Sequence, residues 1–224
     1  AIFNARKKYR IKKEKLVFIP FGGDMHICNS RKTQIEKVIK KKVPSKSRCL
    51  RFLSIGIDWK RKGMDRTIEF INYLQNKYNK KIELDIIGSK KNLNLINKNI
   101  KLHGYLSKKK TKDLSKIKQL YNKANYFILL SREEAAAIVF NEAASFGLPI
   151  ISTDIGGIRS VVKKNGIFFK QSDSLQSKYS KFKKILIDKN YINYSMKSLK
   201  HSNENNWNHI SKKIGNTLSK ISDN

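Results

Sequence analysis

The chain has 224 residues, 39% hydrophobic and 29% charged, with 49 Lys+Arg against 17 Asp+Glu and a formal net charge of +32. This composition excludes a disordered chain, and the length suffices for one domain with appendages around a buried core. No apolar run approaches the ~18 residues that span a bilayer.

In chain order, AIFNARKKYRIKKEKL has charge but no apolar segment of the kind a secretory signal carries. It opens on Ala rather than Met, which leaves open a piece of a longer protein. LVFIPF (16–21) predicts a strand, Gly22-Gly23 a turn with Asp24 capping it, and 31–41 a helix centred on TQIEKVIK. A linker, Pro44-Ser45-Lys46-Ser47, leads to CLRFLSIG (49–56), a strand ending in Gly. MDRTIEFINYLQNKY (64–78) predicts a helix with Met64, Ile68, Ile71 and Leu74 on one face. IELDIIG (82–88) and IKLHG (100–104) predict strands, and 111–123 a helix that turns Leu114, Ile117 and Leu120 or Tyr121 inward. NYFILLS (125–131) is the next strand, and residues 137–142 open a helix. PIIST (149–153) is a strand, Gly156-Gly157 starts a short helix, and GIFF (166–169) is the last strand. The rest is helical, ending in a segment from Trp207 through Ile221.

Strands alternating with helices predict an α/β fold, a Rossmann-like parallel sheet with helices on both faces. Ligands of such sheets bind beyond the carboxyl ends of the strands, at helix N-termini. Gly56, Gly88 and Gly104 stand at or just past strand ends, where a ligand needs the backbone to come close.

The stretch SREEAAAIVFNEAASFGLPII (131–151) carries the chemistry. Its helix opens after Ser131 with the amides of Ala137, Ile138 and Val139, an anion site that the small residues Ala135–Ala137 leave accessible. Glu134 before the helix and Glu142 inside it flank that site, and carboxylates accept paired hydroxyl donors of the kind a sugar presents. Amides for a phosphate with acids for hydroxyls match a nucleotide sugar. The matching cations stand in SIGIDWKRKGMD (54–65), where Arg61 and Lys62 lie on a turn between Gly56 and Gly63.

The pattern Glu134…Glu142-Ala143-Ala144-Ser145-Phe146-Gly147-Leu148-Pro149 resembles the signature of the family-4 retaining glycosyltransferases. FIPFGGDM (18–25), FLSIGIDWKRKG (52–63), LDIIGS with IKLHGYLS (84–107), and STDIGGI (152–158) fall in that family's order. The resemblance implies the C-terminal, donor-binding half of a GT-B fold. Residues 1–20 would then end the N-terminal domain and cross over, 21–200 form the nucleotide-sugar domain, and 201–224 a helix returning toward the missing N-terminal domain. It further implies that Lys62 holds the donor diphosphate, Glu142 the ribose hydroxyls and Glu134 the transferred sugar, with Arg61 beside Lys62 as a substitute for the family's phosphate-binding Arg. The amides near Ile138 and Val139 would meet the phosphates, and backbone near Gly88 and Tyr105-Leu106 would border the base. The implied reaction moves a sugar from a nucleoside diphosphate to a saccharide or lipid-linked acceptor with retention, without metal or other cofactor, in polysaccharide biosynthesis. A chain lacking the acceptor half is expected to be inactive by itself.

Three positions depart from the family pattern. Ala135-Ala136-Ala137 replaces a Gly-Phe-Gly-like turn, Ile57 stands where many members have Arg, and Ser160 where an acid is common. Two other readings stay open: a non-catalytic remnant of the fold, and a basic nucleic-acid-binding module. The latter ranks below because the interleaved basic and aromatic pattern of single-strand binders is missing. The lysines are spread along the chain, so composition accounts for most of the charge, beside a peripheral contact with an anionic membrane on its cytoplasmic face. Cys28 and Cys49 lack metal-ligand spacing and point to a reducing, cytoplasmic setting, and the histidines at 26, 103, 201 and 209 show no metal-ligand spacing either. Trp59, His103 and Trp207 read as packing residues.

Overall fold

The computed structural model describes residues 2–23, 32–88 and 97–222. Its centre is a six-stranded, all-parallel sheet in the order β3-β2-β1-β4-β5-β6. The strands are β1 (Cys49–Gly56), β2 (Lys81–Gly88), β3 (Ile100–Gly104), β4 (Tyr126–Leu129), β5 (Ile150–Thr153) and β6 (Gly166–Phe169). The helices are α1 (Ile2–Tyr9), α2 (Lys32–Lys41), α3 (Met64–Lys77), α4 (Thr111–Lys123), α5 (Ile138–Ser145), α6 (Ile158–Val161), α7 (Leu175–Leu186), α8 (Asp188–Glu204) and α9 (Trp207–Ser222). This is the doubly wound arrangement that alternating strands and helices predict.

The central strands are apolar on both faces because helices cover both. All four residues of β4 are buried. Tyr126 meets Phe182 of α7, whereas its neighbour Phe127 points the other way, to Tyr121 of α4 and Phe140 of α5. The period of two along a strand thus feeds two separate cores. The face of α3 predicted to turn inward does so, with Met64, Ile68, Ile71 and Leu74 buried. On the opposite side α8 packs outside α5, and α2 packs on α8.

The segment LVFIPF, expected as a strand, is not one. It follows a 3-10 turn at Lys13–Lys15 and runs to Gly22 without regular structure, with Val17 and Phe21 more than half exposed. It contacts the end of the chain and, through the Phe21 carbonyl, Asn141 of α5, and joins no strand of the sheet. Lys213 Nζ donates to the Phe18 carbonyl at 3.0 Å, and Gly23 forms an isolated parallel bridge with Asn206. Apolar residues that never join a ladder leave no signature in a six-residue sequence window. Asp24, His26 and Cys28, and the last two residues of FIPFGGDM, lie outside the described residues. Among the described residues no helix is long and apolar enough to cross a membrane.

Candidate active site

The strand order reverses between β1 and β4, because β1 leads to β2 on one side while β4 leads to β5 on the other. Loops leaving these two strands therefore diverge and open a crevice at their carboxyl ends. Arg61 and Lys62 lie on the loop after β1, Ser131, Glu134 and Ala137 on the segment after β4, and Ile138, Val139 and Glu142 on α5, whereas Gly88 ends β2 and Tyr105 and Leu106 follow β3.

Gly56 closes β1 and Gly88 closes β2. At Gly88, φ is +147°, and a Cβ would stand 1.8 Å from the Gly56 carbonyl oxygen, so only glycine fits. Beyond Gly56 the chain turns through exposed Ile57 and buried Trp59. Asp58 organises the turn: it accepts from the Arg61 amide at 3.1 Å and pairs with Arg61 Nε at 3.2 Å. That amide, followed by the guanidinium, holds the Asp58 carboxyl below its ordinary value. The stem of Lys62 then crosses back over Gly56, where a Cβ would come 2.7 Å from Lys62 Cγ. Gly63 follows at φ +61°, its Cα so near the Leu130 carbonyl that a Cβ would stand 1.9 Å from the oxygen.

The loop after β4 is knitted to this turn. The Arg132 amide donates to the Arg61 carbonyl at 2.8 Å. The Arg132 guanidinium donates to the Lys60 carbonyl at 2.7 Å and grips Asp65 with two bonds of 2.7 and 2.5 Å. Asp65 is held below the usual carboxylate value chiefly by those bonds. Lys62 Nζ then pairs with Glu134 Oε2, their side chains only 14% and 7% exposed. From the far side, the Gly157 amide donates to the Glu134 carbonyl at 3.3 Å. A Cβ on Gly156 or Gly157 would come within 2.0 Å of the Glu134 or Ala135 carbonyl oxygen. Ser160, at the position where the resemblance leads one to expect an acid, bonds the Gly157 carbonyl at 2.6 Å. Ser131 is fully buried, and its Oγ has no partner among the described residues.

Ala137 is the N-cap of α5, with extended backbone and no side-chain cap. The helix's first turn is closed by Phe140 N–H to the Ala137 carbonyl at 3.1 Å, so the amides of half-buried Ile138 and Val139 precede that bond. Glu142 follows, 1% exposed. Its Oε2 accepts from Tyr121 Oη at 3.2 Å, and its Oε1 pairs with Lys108 Nζ. Tyr105 is exposed and Leu106 half-buried against the core. The residues just after Gly88 lie outside the described ones.

Lys62 and Glu134 thus meet, whereas Arg61 turns to Asp58 on its own loop. Three contacts had no counterpart in the sequence reading: Lys108 and Tyr121 on Glu142, and the Arg132–Asp65 brace. Tyr121 stood out only as an apolar-face residue, and Lys108 was one lysine in a run of three. His103 pairs with Asp85 at 2.6 Å, away from these loops on β3 and β2.

On the other flank of α5, Asn141 faces the crossover. Its Nδ2 donates to the Phe21 carbonyl at 2.7 Å, and its Oδ1 accepts from His201 Nε2 at 2.9 Å. The Asn205 amide stands 3.3 Å from His201 Nδ1. Gly22 lies against the Trp207 ring, its Cβ position 2.7 Å from Cδ2.

The family model for glycosyl transferases group 1 matches residues 35–206. No curated protein sequence matches the chain. Among solved structures, a glycosyltransferase from Rickettsia africae aligns with a TM-score of 0.71 at 17% identity, over 99% of this chain and 61% of its own. WaaG, a glycosyltransferase involved in lipopolysaccharide biosynthesis, aligns with a TM-score of 0.65 at 21% identity, over 90% of this chain and 56% of its own. The pneumococcal O-GlcNAc transferase GtfA, solved with UDP and GlcNAc, aligns with a TM-score of 0.63 at 16% identity, over 78% of this chain and 36% of its own. At these identities the likeness is one of fold. The chain spans between about one third and three fifths of the length of these structures.

Proposed function

The chain belongs to the group 1 glycosyl transferases, and on that footing we propose that it is the donor-binding half of a retaining GT-B enzyme of the family-4 type. In this reading residues 21–200 bind a nucleoside-diphosphate sugar, 1–20 carry the crossover, and 201–224 return toward an N-terminal domain that supplies the acceptor site. The acceptor is a saccharide or a lipid-linked saccharide.

The observation that supports this most is the Lys62–Glu134 pair at the sheet's switch point, beside the open end of α5. An ammonium and helix amides on one side and a buried acid on the other suit a ligand with a diphosphate next to a polyol. Lys62, with Arg61 released from Asp58, stabilises the diphosphate as it leaves. The Ile138 and Val139 amides add fixed donors that need no rearrangement during reaction. Glu134 orients the transferred sugar and Glu142 the ribose. Charge stabilisation comes from side chains and amides, so the proposed mechanism uses no metal ion. That UDP accompanies the pneumococcal transferase of similar fold is consistent with such a donor.

Calorimetric titration with uridine, guanosine and adenosine diphosphates tests the reading. One base should bind, weakly in this half alone, and Lys62→Ala and Glu142→Ala should each weaken it by ~tenfold or more. Equal, salt-sensitive binding of all three and of single-stranded nucleic acid, unaffected by either substitution, would refute it. Sugar transfer should be slow or undetectable until the upstream domain is supplied. Any peripheral membrane role adds a separate expectation: binding to anionic vesicles, and not to zwitterionic ones, that declines with salt.

A further inference from the structure

Glu142 is a carboxylate with 1% of its surface exposed, so each of its oxygens needs a partner. The two partners differ in kind. Tyr121, on Oε2, is itself fully buried, and its ring lies parallel to Phe146 with centroids 4.8 Å apart and an interplanar angle of 7°. Phe127 covers it at 6.2 Å. A ring held between two others cannot swing its hydroxyl away. Burial, and then the charge of Glu142, raise the Tyr121 hydroxyl well above its ordinary value, so it remains a proton donor.

Lys108, on Oε1, reaches in from the turn before α4 with 41% of its side chain exposed. Its ammonium can return to water at little cost. The buried acid it leaves then needs another donor. We propose that Tyr121 is a positioning residue of the nucleoside site: it pins one oxygen of Glu142 so that the other faces the ribose hydroxyls, and Lys108 is the group the nucleoside displaces. This rests on the donor-site reading above. The two contacts act in opposite directions. Tyr121 favours the ribose complex by fixing the acid, and Lys108 opposes it by competing for the acid.

The experiment compares the base that binds best as its ribonucleoside diphosphate and as its 2′,3′-dideoxy counterpart. Attraction of Lys108 for the diphosphate acts on both ligands alike and cancels in the affinity ratio. Tyr121→Phe should lower that ratio by ~fivefold to tenfold, the scale of one hydrogen bond to a charged group. Lys108→Met should raise it severalfold. An unchanged ratio in Tyr121→Phe, or an unchanged or lowered one in Lys108→Met, overturns the proposal. Lys108 is on the surface, so its variant decides the matter even where Tyr121→Phe fails to fold. A wild-type chain that binds no nucleoside diphosphate, or binds both forms equally, refutes the donor-site reading and this inference with it.

Discussion

Lys62 and Glu134, 72 positions apart, form an ion pair across the crevice between the loops that leave β1 and β4. Each neutralises the other. On the proposed donor-site reading, a diphosphate would draw Lys62 away from Glu134.

Glu134→Gln removes that competitor and keeps the side-chain shape. On the proposed reading, affinity for the nucleoside diphosphate without its sugar should rise, by about threefold to tenfold, while sugar transfer by this chain joined to the proposed acceptor-binding domain should be lost. Calorimetry on this chain and a transfer assay on the completed enzyme check the two halves. Weaker binding in the variant would mean that Glu134 supports Lys62 instead of competing for it.

Gly56 and Gly63 should respond differently to alanine. At Gly56 a methyl meets the base of the Lys62 side chain, Cγ at 2.7 Å and Cβ at 3.0 Å, and the flexible end of Met64 at 2.9 Å, and the backbone is not left-handed. The fold should survive with a fall in Tm smaller than at Gly63, and on the proposed reading diphosphate binding should weaken because the stem of Lys62 is pushed aside. At Gly63 the methyl meets the Leu130 carbonyl oxygen at 1.9 Å with φ at +61°, and backbone cannot step aside. Gly63→Ala should cost on the order of 3 kcal/mol, visible in urea denaturation.

Arg132 joins three parts of the site: the Lys60 carbonyl, Asp65 at the start of α3, and the Arg61 carbonyl through its own amide. Arg132→Lys keeps the charge but cannot grip Asp65 with two parallel bonds. Stability should fall by only about 1 kcal/mol, because both side chains are partly exposed. Hydrogen exchange in residues 57–63 should accelerate, since the brace on that turn is loosened.

His201 makes stability depend on acid. Burial, then the charge of Lys163, depress its pKa to about 4. A donor at Nε2 facing the Asn141 oxygen and an acceptor at Nδ1 facing the Asn205 amide suit the neutral ring. Protonation would set two donors against each other at Nδ1. The unfolded chain, near its ordinary value of about 6.5, binds the proton first, so stability is full above that pH and falls on acidification toward 4. Between pH 7 and 5 the loss should reach about 2 kcal/mol in urea denaturation. His201→Gln should flatten that slope.

The alternation of strands and helices was readable because each element repeats a local pattern. Apolar runs in β4 and β6, apolar residues interrupted by single polar ones in β1, β2 and β3, and a three- and four-residue stripe in α3 are signals within one window. LVFIPF carried the same local signal and misled, since whether an apolar run joins a sheet depends on whether an edge is offered to it. Here Lys213 on the last helix and Asn141 on α5 take up the carbonyls of Phe18 and Phe21 instead.

The acids, the cationic loop and the helix start were visible in the order of the residues, because the backbone turns that present them are written locally in glycines and small side chains. Which cation meets which acid was not. Lys62 and Arg61 are neighbours on one turn, yet one reaches Glu134 and the other folds back to Asp58, according to where β1 and β4 lie and how Gly56 lets a stem pass. Pairings such as Tyr121 with Glu142 and Asn141 with His201 likewise join separate helices, 21 and 60 residues apart. Their specificity comes from burial, which makes an unanswered polar group costly and so selects partners that only packing brings within reach.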